Sequence, residues 1–159
     1  MSDASLGEAG AQRDESTRYR TTDLYFLSDE NLTALAEALH AWSPPVCLGE
    51  NPRTHRDEWY CNFSIDREGA EEPEPGITAM LTVIEALDPP FRSAWAGCSQ
   101  RVFDIAYDCG REPFAFCHEL SAETLGRLAA AGASLRITLY SDPETSPAEP
   151  SAVADRGGI

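Results

Sequence analysis

The sequence predicts an α+β fold, a two-layer sandwich in which helices cover one face of a largely antiparallel sheet of about five strands. Three observations lead there. Several short segments alternate apolar and polar side chains at period two, as a sheet with one covered face requires. Segments between them place apolar residues at i, i+3, i+4 and i+7, the spacing of a helix that buries one stripe. The two kinds follow one another as β-α-β-α-β-β-α-β.

The first strand is Arg20 to Leu27, β-prone and aromatic. Ser28, with Asp29 and Glu30, offers an N-cap and first-turn acids, so a helix is expected from there, with Leu32, Leu35, Ala36 and Leu39 as its stripe and Pro44-Pro45 as its stop. After a loop from Gly49 to Asp57, Trp59, Cys61, Phe63 and Ile65 alternate with Tyr60, Asn62 and Ser64 in the clearest strand of the chain. Asp66 to Gly76 reads as an acidic loop. Ile77, Met80, Leu81, Ile84 and Leu87 give a second helix, ended by Asp88-Pro89-Pro90, with a short extra helical turn expected around Phe91 to Trp95.

Arg101, Phe103, Ile105, Tyr107 and Cys109 alternate with Val102, Asp104, Ala106 and Asp108 in a third strand, and Gly110 to Pro113 is a turn signal. Phe114-Ala115-Phe116 is β-prone and predicts a hairpin with it. Ser121 caps a helix carrying Leu125, Leu128 and Ala129, and Gly132 stands where a C-terminal glycine belongs. Leu135, Ile137 and Leu139 alternate with Arg136, Thr138 and Tyr140 in the last strand. Residues 1–18 and 143–159 lack periodicity and read as disordered tails around a single domain at 19–142.

The chain has 159 residues, 27 acidic against 12 basic, for a net charge of -15. Most of the acids lie between the two ends, so the acidity belongs to the domain. That balance argues against nucleic acid, whose phosphates call for Lys and Arg, and against anionic membrane surfaces. No apolar run reaches the roughly 20 residues of a membrane-spanning helix. All 12 basic residues are arginine, which excludes chemistry that needs a lysine amine. The N-terminal stretch MSDASLGEAGAQRDEST has neither the basic nor the apolar region of an export signal, and the five cysteines are odd in number and irregular in spacing. A cytoplasmic protein with free thiols is expected.

Three stretches, YFLSDENLTALAEAL, PPVCLGENPRTHRDEW and LSAETLGRLAAAGASLRITLY, resemble the bacterial family called domain of unknown function 4279 and together frame residues 19–142. The resemblance implies an α+β fold and transfers no catalytic residue.

The candidate chemistry is sparse. Cys109, Cys117 and His118 are near in sequence, but close ligand pairs such as C-x₂-C are absent, and no metal or cofactor is expected. His40, His55 and His118 are the only imidazoles, and none accompanies a nucleophile motif. Asp104 and Asp108 share one strand face, about 13 Å apart from the strand rise, too far for a glycosidase pair. Either could meet Asp66 or Glu58 from a neighbouring strand.

The acidic surface points to a non-enzymatic protein-interaction domain with a basic partner, with an immunity or antitoxin-like protein that neutralises a basic toxin as its most concrete form. Asp66, Glu68, Glu71, Glu72 and Glu74 would imitate an anionic substrate, with Tyr60 among the aromatic anchors, alongside Tyr107, Arg101 and Tyr140. Solubility alone accounts for the charge equally well. The alternative is a small-ligand binder or enzyme with a pocket between sheet and helices, drawing on Asp104, Cys117 and His118. A homodimer through an open sheet edge is the third arrangement left open.

Overall fold

The computed structural model describes residues 16–42, 48–49, 53–55, 58–65 and 71–141. In chain order these form β1 (Arg18–Ser28), α1 (Thr33–Trp42), β2 (Leu48–Gly49), β3 (Arg53–His55), β4 (Glu58–Ser64), α2 (Glu74–Glu85), α3 (Pro89–Gly97), β5 (Gln100–Cys109), α4 (Ala122–Ala130) and β6 (Ser134–Ser141). The four long strands make one mixed sheet in the order β4-β1-β5-β6, and the short β2 and β3 both pair with β4.

Period-two alternation places Leu24 and Phe26 of β1, Cys61 and Phe63 of β4, and Phe103 and Ile105 of β5 on one face, each at most 3 % exposed. Against them pack the stripes of α1 (Leu35, Leu39), α2 (Ile77, Met80, Leu81, Ile84), Trp95 of α3 and Leu128 of α4, so sheet and helices share one core. Phe26 is its centre, stacked on Phe63 at 5.8 Å and tilted against Trp95 at 5.7 Å between ring centroids. Trp59 packs against this core but is only half-buried.

Several expectations need correction. The α+β architecture is present, but the sheet is not largely antiparallel throughout: β5 and β6 run parallel. The expected hairpin strand at Phe114-Ala115-Phe116 is absent. Pro113 brings no N–H to a ladder, Phe114 is fully exposed, and the segment is a loop. Without that strand, β5, α4 and β6 become a βαβ unit, whose crossover makes parallel pairing the natural outcome. Helix α1 starts at Thr33 rather than beside Ser28. Ser28 is the last residue of β1, its Oγ accepting from Glu30 N at 3.0 Å, and the carboxamide oxygen of Asn31 accepts from Thr33 N at 2.8 Å. β1 begins at Arg18, with Ser16 bridged to Glu112, so the folded chain reaches into the expected N-terminal tail. The remainder of both expected tails lies outside the described residues.

Helix ends are tied down by side chains. Ser121 caps α4 as expected, its Oγ accepting from Thr124 N at 3.1 Å. At the other end Ala133 N donates to Leu128 O and Gly132 N to Ala129 O, each at 3.0 Å, a Schellman closure that needs the left-handed backbone of Gly132, φ 66°. Arginines serve the remaining carbonyls. Arg92 Nη2 donates to Leu87 O at 3.0 Å beyond the end of α2. Arg101 donates through Nη1 to Trp95 O (2.8 Å) and Ala96 O (2.9 Å) at the end of α3, and through Nε to Gly132 O (2.9 Å).

Candidate functional site

β6 terminates the sheet. β5 lies on one side of it, and along the other edge no strand pairs with it among the described residues, leaving a row of N–H and C=O groups on which another strand could add. The parallel register sets Leu135 beside Phe103, Ile137 beside Ile105 and Leu139 beside Tyr107, all facing the helix layer. The β5 residues are buried, whereas Ile137 and Leu139 are 62 % and 65 % exposed. The short amphipathic α4 turns Thr124 and Leu128 inward and leaves Leu125 exposed, so among the described residues the outer strand stays largely uncovered. Phe116 continues the strip, its ring 5.5 Å from Tyr107 and 4.8 Å from His118. Isolated exposed apolar side chains are ordinary, whereas Ile137 and Leu139 follow Leu135 in a row along one strand.

The opposite face of the sheet is polar. Asp23 and Asp104 stand directly across from one another on β1 and β5. Asp104 accepts from Thr138 Oγ1 at 2.7 Å and from Arg136 Nη1 at 3.5 Å. The Tyr25 hydroxyl donates to Asp23 at 3.3 Å. Burial pushes the Asp23 carboxyl above its ordinary range and the Asp104 charge adds to this, while hydroxyls of Ser64 and Tyr25 oppose it. Tyr25 itself is pushed up to about 12, by burial and then by the two carboxylates. Guanidinium groups lie over the rings on this face, Arg20 at 4.8 Å from Tyr140 and Arg136 at 6.0 Å from Tyr25.

A raised carboxyl pKa means that the folded state holds the Asp23 proton to higher pH than the unfolded chain does. Stability is therefore lost as pH rises from the unfolded value, near 3.8, through the folded one. Asp23→Asn, which keeps the shape and removes the charge, is expected to raise the urea midpoint at pH 7 and to lose that advantage at pH 3. Equal midpoints at pH 7 would show that the carboxylate is not penalised in the fold.

The residues singled out in the sequence are scattered. Asp66 and Glu68 lie outside the described residues, and Glu71 and Glu72 are exposed. Glu74 is no free loop acid: it opens α2, and its Oε1 accepts from Ser121 N (2.9 Å), Ser121 Oγ (2.6 Å) and Thr124 Oγ1 (2.5 Å), joining the N-terminal ends of α2 and α4. Those donors hold its pKa down, so this tie weakens as pH falls. Tyr60 is half-buried on the polar face, whereas Tyr107 and Arg101 are engaged in the core and at helix ends.

The proposed trio of Asp104, Cys117 and His118 does not assemble. His118 Nδ1 bonds the Tyr107 hydroxyl at 3.1 Å on the helix side, Cys117 is exposed, and Asp104 belongs to the opposite sheet face because it alternates with Tyr107 along β5. Asp104 does meet a second carboxylate, Asp23, whereas Glu58 is not its neighbour and Asp66 lies outside the described residues. Among the described residues no three His, Cys, Asp or Glu side chains gather as a metal site requires, and no helix is long and apolar enough to cross a membrane. Comparison with protein-family models, curated proteins and solved structures finds no match to the chain.

Proposed function

We propose that this chain is a non-catalytic protein-binding domain that receives a strand of a basic partner along β6. The observation that carries the reading is the apolar row Leu135, Ile137 and Leu139 on a strand edge that no other strand pairs with among the described residues. Strand addition supplies main-chain hydrogen bonds as affinity and alternating side-chain contacts as specificity. The net charge of -15 favours a basic partner over a second copy, since two such chains repel while a cationic protein is drawn in. An immunity-type protein that covers a basic toxin is the specific form this charge supports. Cys98, Cys109 and Cys117 carry free thiols, which supports action in the cytoplasm. The stretches YFLSDENLTALAEAL and LSAETLGRLAAAGASLRITLY support assignment to the domain of unknown function 4279 family.

Ile137→Ser with Leu139→Ser tests the edge. Both side chains are mostly exposed, so stability should change by less than about 0.5 kcal/mol per site. In affinity capture from lysate of the protein's own host, a basic protein held by the wild type should be lost by the double variant and weakened by high salt. Equal retention by both proteins would remove β6 from the interface.

A further inference from the structure

We propose that a cleft between the C-terminal ends of α2, α3 and α4 binds a small organic oxyanion, a carboxylate or phosphate group carried on a compact apolar body. The cleft has a volume of about 450 Å³, within the range of small-ligand sites. Its walls are apolar and small where Ala96, Ala130, Ala131 and Gly132 meet, with Ile84 and Trp95 beside them. Arg92, Arg101 and Arg127 also line it, and among the described residues the only carboxylate in its lining is Glu85.

That concentration of guanidinium runs against the charge of the whole chain. Glu85 is fully engaged by Arg127, with Nε to Oε1 and Nη2 to Oε2 both at 2.8 Å. Arg92 and Arg101 have no carboxylate partner among the described residues. Their hydrogen bonds go to the carbonyls at the C-terminal ends of α2, α3 and α4, which fix each group while the helix dipoles offset part of its charge. Those bonds occupy only part of each fork. Nη2 of Arg101, Nε and Nη1 of Arg92, and Nη1 of Arg127 meet no protein acceptor among the described residues.

An anion entering the cleft therefore meets donors whose positions are already fixed, which lowers the cost of binding. Planar forks suit the paired oxygens of carboxylate or phosphate, and the alanine and tryptophan walls suit an apolar body attached to them. At about 0.15 M salt the acidic remainder of the protein is screened beyond roughly 8 Å, so the field in the cleft is set by its own groups, where three guanidinium groups face one carboxylate and the helix ends.

The test is an NMR titration of the full chain with inorganic phosphate, benzoate or phenyl phosphate, with sodium chloride as control at constant ionic strength. Saturable shifts confined to the Trp95 indole, the Gly132 amide and the cleft arginine Nε–H groups are expected. Phenyl phosphate or benzoate should bind more tightly than inorganic phosphate, and which of the two is tighter identifies the headgroup. Arg92→Gln should weaken binding about tenfold, the value of one charge-assisted hydrogen bond. Ala130→Phe keeps every guanidinium but fills the space, and should abolish benzoate binding. Arg136→Gln, on the opposite sheet face, should change nothing. Shifts that fail to saturate, spread over the surface, or persist unchanged in both Arg92→Gln and Ala130→Phe would overturn the proposal and leave the arginines as helix-end ties alone.

Discussion

Phe26→Ala is expected to destabilise the protein by about 3 to 5 kcal/mol, a large part of the roughly 5 to 15 kcal/mol that holds a domain of this size together. The ring is 0 % exposed on β1, an interior strand of the sheet, and it touches Phe63 from β4 and Trp95 from α3. Truncation loses the transfer free energy of the ring and leaves a cavity that two strands and a helix cannot close without bending. The aromatic contacts add about 0.5 to 1.5 kcal/mol per pair beyond the buried area. Phe114→Ala is the matched control: the same chemistry at a fully exposed side chain should cost less than about 0.5 kcal/mol. Urea unfolding with an unchanged slope measures both. A loss below 1 kcal/mol for Phe26→Ala would mean that the two layers do not meet around β1.

That core was legible because it is written in local periodicity. Phe63, Cys61 and Ile65 follow from alternation alone, the α2 stripe from helical spacing, and the α4 caps at Ser121 and Gly132 from residue types whose backbone preference is strong. Features that depend on register were not legible. Asp23 and Asp104 are far apart in sequence, and only the pairing of β1 with β5 makes them neighbours. The same holds for Glu74, which reads as one acid in an acidic run until α2 and α4 meet at their N-terminal ends.

Two misreadings have a common physical source. The β-prone tripeptide Phe114-Ala115-Phe116 predicts a strand, but three residues beside a proline cannot gain enough ladder bonds. Removing it turns the antiparallel hairpin into the parallel β5-α4-β6 unit and moves β6 to the edge. Apolar alternation in Leu135, Ile137 and Leu139 then marks a strand without marking burial. Period two reports that one face is apolar; what covers that face is decided by the length and placement of α4.

Arg101→Met should cost about 2 kcal/mol although the residue is neither buried nor part of the apolar core. Methionine preserves much of the side chain's apolar length, so the change isolates the guanidinium and its three carbonyl bonds. Charge-assisted hydrogen bonds are worth about 1.5 to 3 kcal/mol each where their partners would be left unsatisfied. Here water can replace the donors to Ala96 O and Gly132 O, both at exposed sites, but less readily the 2.8 Å bond to Trp95 O. One bond's worth, with some loosening of its neighbours, is therefore the expected net loss. The effect should be directional: Arg101 joins the end of α3 to the turn between α4 and β6, so amide exchange should accelerate at Ala133 and Ser134 before it does in α1. Arg101→Lys should recover only part of the stability, because one ammonium cannot match the fixed fork that reaches three carbonyls from two directions. If Arg101→Met unfolds at the wild-type urea midpoint, water fully replaces the guanidinium, and the orientation of β6 then depends on the Gly132 turn and the β5 ladder alone.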